Sequence, residues 1–216
     1  HKFSAAVFAV FVGIACVTYP LGWVWPAAGL TGLACLLWAY PNLWMFVVPA
    51  LLPVGDLSPV TGHLFFNEFD MVVMTVCVVL YVKHPASRNY TALPGGAKWL
   101  IGGLSVLYGI SVFMGITPLE PFEPARLTHP YSPWASLLSI KGFAAALALV
   151  PLLQQGMHPP GNIRKYLVPG ILTGLGLVAG VTLWERQIFS GLFNFSNDYR
   201  ITASFFEMNT GGAFID

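Results

Sequence analysis

Lys141, Arg186 and Arg200 are the cations whose places in this sequence could give them a chemical role. Lys141 lies eight residues beyond Pro133 in an otherwise apolar run. If that run is helical, the ammonium sits about 12 Å inside its boundary. A charge at such depth in hydrocarbon costs at least ~2.5 kcal/mol. A wet cavity, a partner or an anionic ligand such as a lipid phosphate would offset that cost, or the side chain snorkels outward. Arg186 and Arg200 flank an aromatic, glycine-containing stretch over 189–195 and the turn Ser196-Asn197-Asp198. A guanidinium is always charged and forks onto two oxygens. At an apolar boundary it can anchor headgroups, pair with Glu185, Asp198 or Glu207, or grip a lipid-borne diphosphate.

Other candidate groups are weaker. Glu68 and Asp70 open an apolar run, where acids favour the positive end of a helix dipole in a solvated helix start. As a carboxylate pair they would need a set separation for acid–base work, which sequence adjacency does not establish. His129 lies in a stretch punctuated by Pro118, Pro121, Pro124 and Pro130, and reads as a loop histidine or an outer-face base. Metal spacings of the H-E-x-x-H or C-x-x-C type and a Gly-x-x-x-x-Gly-Lys phosphate loop are all missing from the sequence. Cys16, Cys35 and Cys77 sit in apolar runs and read as small buried residues rather than a disulfide framework.

The elements that must carry these groups follow from composition. Of 216 residues, 56% are hydrophobic and 9% charged, and the mean hydropathy is +0.70. Soluble domains carry about 25% charged residues, so the chain cannot wet its own surface. A disordered chain is excluded by the same numbers, and a net charge of +1 offers no field for nucleic acid. The expectation is an all-α, polytopic transmembrane helical bundle with membrane lipid as its surround.

A crossing needs roughly 20 apolar residues. Seven spans are predicted, over 3–19, 23–40, 43–54, 69–82, 99–116, 133–153 and 166–184. The third contains Pro49 and Pro53 and reads as broken or re-entrant. Lys2, Lys83, Arg88, Lys98, Arg164 and Lys165 fall on one face; Arg126, Arg186 and Arg200 fall on the other with all nine acids. Basic residues set orientation, which predicts a cytoplasmic N-terminus and a periplasmic C-terminal segment. The chain divides into the bundle, 1–184, and a periplasmic loop with the start of a motif region, 185–216. The sequence begins at His1 and reads as a fragment of a longer protein.

Packing signals lie in the fifth and seventh spans. Gly170/Gly174, Gly176/Gly180 and Ser105/Gly109 are small-x-x-x-small pairs, which let helix backbones approach closely. The seven tryptophans, Trp23, Trp25, Trp38, Trp44, Trp99, Trp134 and Trp184, fall near predicted span ends, as interfacial indoles do. Sugar stacking is the alternative for Trp134 and Trp184.

At the tail the sequence Arg200-Ile201-Thr202-Ala203-Ser204-Phe205, then Asn209 and Gly211-Gly212-Ala213-Phe214, resembles the opening motif of the O-antigen ligase and polymerase superfamily. That motif reads approximately R-[IV]-T-G-T-F-x-x-x-N before small residues and the next helix. Ala203 stands for the usual Gly, Ser204 for Thr, and Met208 where Pro is frequent. The motif positions carried over are Thr202, Phe205, Asn209, Gly211 and Gly212. The resemblance implies an inner-membrane glycosyltransferase of surface polysaccharide assembly. Such an enzyme takes a glycan from a polyprenyl (undecaprenyl) diphosphate donor and passes it to a glycan, lipid or protein acceptor, with no metal or nucleotide sugar. It implies that Arg200 contacts the donor diphosphate. It also implies a later periplasmic loop with a catalytic histidine, so that the fragment alone is inactive. A small-solute transporter, or a non-catalytic membrane component of a polysaccharide export complex, are the other readings.

Overall fold

The computed structural model describes residues 2–55, 66–83, 94–117, 133–156 and 161–188. Among these the chain is all-helical, with no strand. We number the helices α1 (Lys2–Val17), α2 (Val24–Ala39), α3 (Trp44–Leu51), α4 (Glu68–Lys83), α5 (Gly95–Ile116), α6 (Ser136–Gly156) and α7 (Val168–Ile188). A 3-10 turn over Pro41–Leu43 leads into α3, and another over Pro133–Ala135 leads into α6. A π-helical turn over Ile163–Leu167 leads into α7.

Local chemistry sets the ends. After α1, Tyr19-Pro20 stops the helix because a residue before proline is pushed out of the α region. Gly22, at φ +94°, reverses the chain toward α2 in a left-handed conformation that suits glycine. Pro26 is tolerated in the first turn of α2, where no intrahelical N–H is lost. α4 is capped on itself: the Asp70 N–H donates to Asn67 Oδ1 at 2.9 Å, and the Asn67 N–H donates to Asp70 Oδ2 at 3.1 Å. This is a reciprocal capping box, which satisfies two orphan donors. α5 ends at Thr117, extended at φ −89° and ψ 128° ahead of Pro118.

Contacts fix the relative directions. Tyr19, beyond the end of α1, meets Glu68 at the start of α4, while Phe8 meets Tyr81 near the end of α4, so the two are antiparallel. Asp70 and Tyr81 of α4 meet Lys141 and Ala148 of α6 in the same order, so α4 and α6 are parallel. The Lys83 ammonium donates to the Trp38 carbonyl, joining the C-terminal ends of α4 and α2. α3 runs parallel to α7, with Phe46 against Gly170 and Pro49 against Gly174. Tyr108 and Gly115 of α5 meet Phe143 and Ser136 of α6 in reversed order. Consecutive helices therefore alternate in direction from α1 through α7. Tyr19, Glu68, Asp70, Gly115 and Lys141 gather at one end of the bundle, and Trp38, Lys83 and Gly156 at the other.

The core is built around α4. Val76, Cys77 and Leu80 of α4 pack with Leu37, Met45 and Leu152. α5 has no buried residue. Two helical stretches, Gly95–Ile116 and Ile163–Trp184, are long and apolar enough to cross a membrane. α1, α2 and α4 have 16 residues each, about 24 Å of helix. The third predicted span is an eight-residue helix with Pro49 inside, in keeping with a broken segment.

Three sequence expectations are corrected. Trp44 is 4% exposed and belongs to the core, because the turn at Pro41–Leu43 carries it inward rather than leaving it at a rim. Cys35 is exposed, on a face of α2 that no other described helix covers. Of the glycine pairs, only Gly170/Gly174 is used: an added Cβ would fall 2.6 Å and 2.7 Å from carbonyl oxygens of Phe46 and Pro49, whereas Gly109, Gly176 and Gly180 face open space. Spacing creates the groove, but only a facing helix fills it.

Candidate functional site

The start of α4 concentrates the bundle's described polar chemistry. Asp70 is 9% exposed and accepts a charge-assisted hydrogen bond of 2.5 Å from the Lys141 ammonium of α6. The side chains are 11% and 20% exposed respectively. Asp70 Oδ2 also receives the Asn67 N–H, so the cap of α4 holds the carboxylate in place for the lysine. The offsetting charge that Lys141 requires is thus supplied, at least in part, by the protein itself. The expectation of a solvated helix start at Asp70 is corrected: α6 packs over it, and the carboxylate serves as both cap and counter-ion.

Two residues before Asp70, Glu68 accepts a hydrogen bond of 2.9 Å from the Tyr19 hydroxyl. Tyr19 lies in the turn beyond α1. Burial pushes its phenol up to about 12, and the Glu68 hydrogen bond and charge add to the shift. The phenol therefore stays protonated at neutral pH and remains the donor. Next to this pair a cavity of about 400 Å³ opens between the turn after α1 and helices α2, α3 and α4. Its walls are mainly apolar, among them Trp25, Leu30, Leu33, Leu51 and Met71.

The paired Asp70 and Lys141 are neutral as a unit. An ammonium has three donor protons, and one of those of Lys141 goes to Asp70 Oδ2. Among the described residues no group of histidine, cysteine and carboxylate side chains could hold a metal.

Of the residues singled out in the sequence, the structure places Lys141, Glu68 and Asp70 in this cluster. Arg186 lies in α7, which ends at Ile188; its side chain is outside the described residues. Arg200, Thr202, Phe205, Asn209, Gly211 and Gly212 lie outside the described residues, as does His129. By the alternation of helix directions, α7 ends at the same end of the bundle as Asp70 and Lys141. Asn67 and Tyr19 are the members that sequence reasoning missed. Asn67-x-x-Asp70 ahead of an apolar run is a capping signal that could have shown Asp70 to be built in. Tyr19 carried no such signal.

The chain matches no family model, no curated protein and no solved structure. Among the described residues, fold and site define an all-helical bundle with two helices of membrane-crossing length and a part-buried acid–base pair at one end.

Proposed function

We propose that this chain is part of an integral inner-membrane glycosyltransferase of the O-antigen ligase and polymerase kind. Its helices α1 to α7 cross or enter the bilayer in alternation, with the N-terminus cytoplasmic. The Asp70–Lys141 end faces the periplasm. The 16-residue helices reach the interfaces through their flanking residues and local thinning of the bilayer. The enzyme moves a glycan from an undecaprenyl diphosphate donor to a glycan or lipid acceptor. An acceptor hydroxyl attacks the anomeric carbon and gives its proton to the histidine of the later periplasmic loop, the bond from that carbon to the diphosphate breaks, and the electron pair leaves with the polyprenyl diphosphate. Arg200 holds the leaving group and neutralises its developing charge, the kind of electrostatic stabilisation that dominates such steps. Arg186 and Lys141 are further contacts for the donor phosphates.

The observation that carries this reading is the run Arg200-Ile201-Thr202-Ala203-Ser204-Phe205 with Asn209 and Gly211-Gly212. It follows α7 shortly after Ile188, and the ionisable groups Glu68, Asp70 and Lys141 gather at the end where α7 terminates. Basic residues at the opposite ends of the helices, Lys2, Lys83, Lys98, Arg164 and Lys165, agree with a cytoplasmic placement of that face.

Arg200→Lys in the full-length protein keeps the charge and loses the fork. Glycan transfer from the lipid-linked donor should fall by about 10²–10³-fold, with membrane insertion unchanged and donor accumulating. Wild-type transfer by that variant would overturn the role of Arg200.

A further inference from the structure

The end of the bundle opposite Asp70 gathers positive charge with no described carboxylate to balance it. The helix directions bring Lys2, Lys83, Lys98, Arg164 and Lys165 to this end, whereas Glu68 and Asp70 lie at the other. Orientation in a membrane asks only for positive charge near these helix ends. Two of the ammonium groups are also held in place. Lys83 Nζ donates to the Trp38 carbonyl and lies 5.7 Å from the centre of the Trp38 ring. Lys165 Nζ lies 5.2 Å from the centre of the Tyr166 ring, and both are cation–π distances. The turn Ile163–Leu167 that carries Lys165 is itself anchored. Asn162 Nδ2 donates to the Gly156 carbonyl at 3.1 Å, and Tyr166 packs against the core cluster that holds Leu37, Trp44 and Tyr81. α3 packs on the same turn, so Lys83 and Lys165 flank the turn Pro41–Leu43 that joins α2 to α3. Arg164 is exposed beside Lys165, and Trp38 and Tyr40 are exposed at the rim. Among the described residues the one ion pair is that of Lys141 with Asp70, so the charges of Lys83, Arg164 and Lys165 face outward. A guanidinium forks onto two phosphate oxygens. Held cations framed by exposed indole and phenol rings match a phosphodiester at the level where headgroups meet hydrocarbon.

We propose that this end of the bundle binds an anionic phospholipid. Arg164 and Lys165 hold its phosphodiester, and Lys83 completes the positive field on the other side of the Pro41–Leu43 turn. The lipid comes from the surrounding leaflet. The inference goes beyond the glycan-transfer reading, uses none of the residues assigned to that reaction, and depends only on the bundle lying in a membrane.

The test uses the full chain purified in a neutral detergent, where the part these cations play in orienting insertion has no bearing. It reads binding, so an inactive Arg200→Lys variant does not bear on it either. Native mass spectrometry compares phosphatidylglycerol with phosphatidylcholine carrying the same acyl chains. Phosphatidylglycerol should bind saturably, at least about tenfold more tightly than phosphatidylcholine, and more weakly as salt is raised. Arg164→Gln with Lys165→Gln should lower its affinity about tenfold or more and leave phosphatidylcholine unaffected. Both side chains are exposed, so the fold is kept, which an unchanged circular dichroism spectrum checks. Lys98→Gln, on α5, should change the affinity by less than about twofold. Equal affinities for the two lipids overturn the proposal, as does a loss on Lys98→Gln as large as that of the double change, since diffuse charge then orients the chain and holds no lipid. It is equally overturned if glycerol phosphate or an oligoglutamate peptide displaces phosphatidylglycerol at equal concentration, because the surface then takes a soluble phosphate or an acidic protein.

Discussion

α4 and α5 are adjacent in sequence and opposite in circumstance. α4 carries Glu68, Asp70, Thr75, Tyr81 and Lys83, yet most of its residues are buried, including Asp70 and Thr75. α5 is longer and more uniformly apolar, yet none of its residues is buried; Trp99, Phe113 and Met114 are 85%, 75% and 70% exposed. In a water-soluble protein the ranking would be reversed, since burial of apolar area drives folding there. Here the polar groups mark the interior. In the bilayer proposed above the surround would offer no hydrogen bonds, so a carboxylate, an ammonium or a phenol would have to find its partner within the bundle. Thr75 donates to the Met71 carbonyl of its own helix at 2.8 Å, and Tyr81 and Asp70 reach α6. In the same surround the apolar side chains of α5 would gain little by moving inward, which accounts for their exposure.

The sharpest way to break that comparison is to unpair the charges. Asp70→Ala removes the counter-ion of Lys141 and half of the α4 cap at once. Loss of one partner of a buried pair costs about 3–5 kcal/mol. The double variant Asp70→Leu with Lys141→Met should recover most of this, because no buried charge is left over. Trp99→Ala on α5, although it removes a larger side chain, should stay within about 0.5 kcal/mol. Unfolding of the purified protein by graded denaturing detergent measures all three. An Asp70→Ala loss no larger than that of Trp99→Ala would show that the pair is a surface contact.

The glycines divide the same way on a smaller scale. Gly170→Leu drives a side chain into the Phe46 backbone, whose carbonyl oxygen and Cα lie 2.6 Å and 2.8 Å from an added Cβ. Backbone cannot rotate aside, so overpacking of about 1–3 kcal/mol is expected. Gly176→Leu and Gly180→Leu meet open space, and each replaces a poor helix former, so they should be neutral or gain up to about 1 kcal/mol. The same detergent titration separates them. Equal losses at Gly170 and Gly180 would mean that a second helix covers the open face.

These contrasts mark what the sequence could and could not convey. Among the described residues, the apolar runs match helices, and several of them end where Pro20, Pro41 or Pro118 cannot continue one. The acid and base segregation at the two ends was legible for the same reason: charges collect where helices stop. Which helix lies inside was not legible from hydropathy, since α4 and α5 would both pass as apolar. The inward side was written in Asn67-x-x-Asp70, Thr75 and Tyr81. Nor was the Asp70–Lys141 pairing legible, because 71 positions separate its members, and single-sequence spacing says nothing about partners on different helices. Gly170 and Gly176 were indistinguishable for a related reason. Both sit in small-x-x-x-small pairs, and only the position of α3 decides between them.

The smallest effect tests the same rule on a neutral group. Tyr81 Oη donates to the Ala148 carbonyl at 2.5 Å, tying the late part of α4 to α6, and its ring packs against Phe8. Tyr108 of α5 instead stacks its ring on Phe143, with centroids 4.3 Å apart and planes within 3°. Phenylalanine at either position keeps the ring and removes the hydroxyl. At position 81 the change deletes a bond between two helices and should cost about 0.5–1.5 kcal/mol. The carbonyl left behind remains part of a helix and limits the loss. At position 108 the stack survives and the change should stay within about 0.5 kcal/mol. Amide exchange at residues 148–152 should also quicken in Tyr81→Phe and stay unchanged in Tyr108→Phe, because only the former loosens α6 from α4. Equal responses would mean that α4 is held by shape alone, and that its hydroxyls no more define the interior than those of α5.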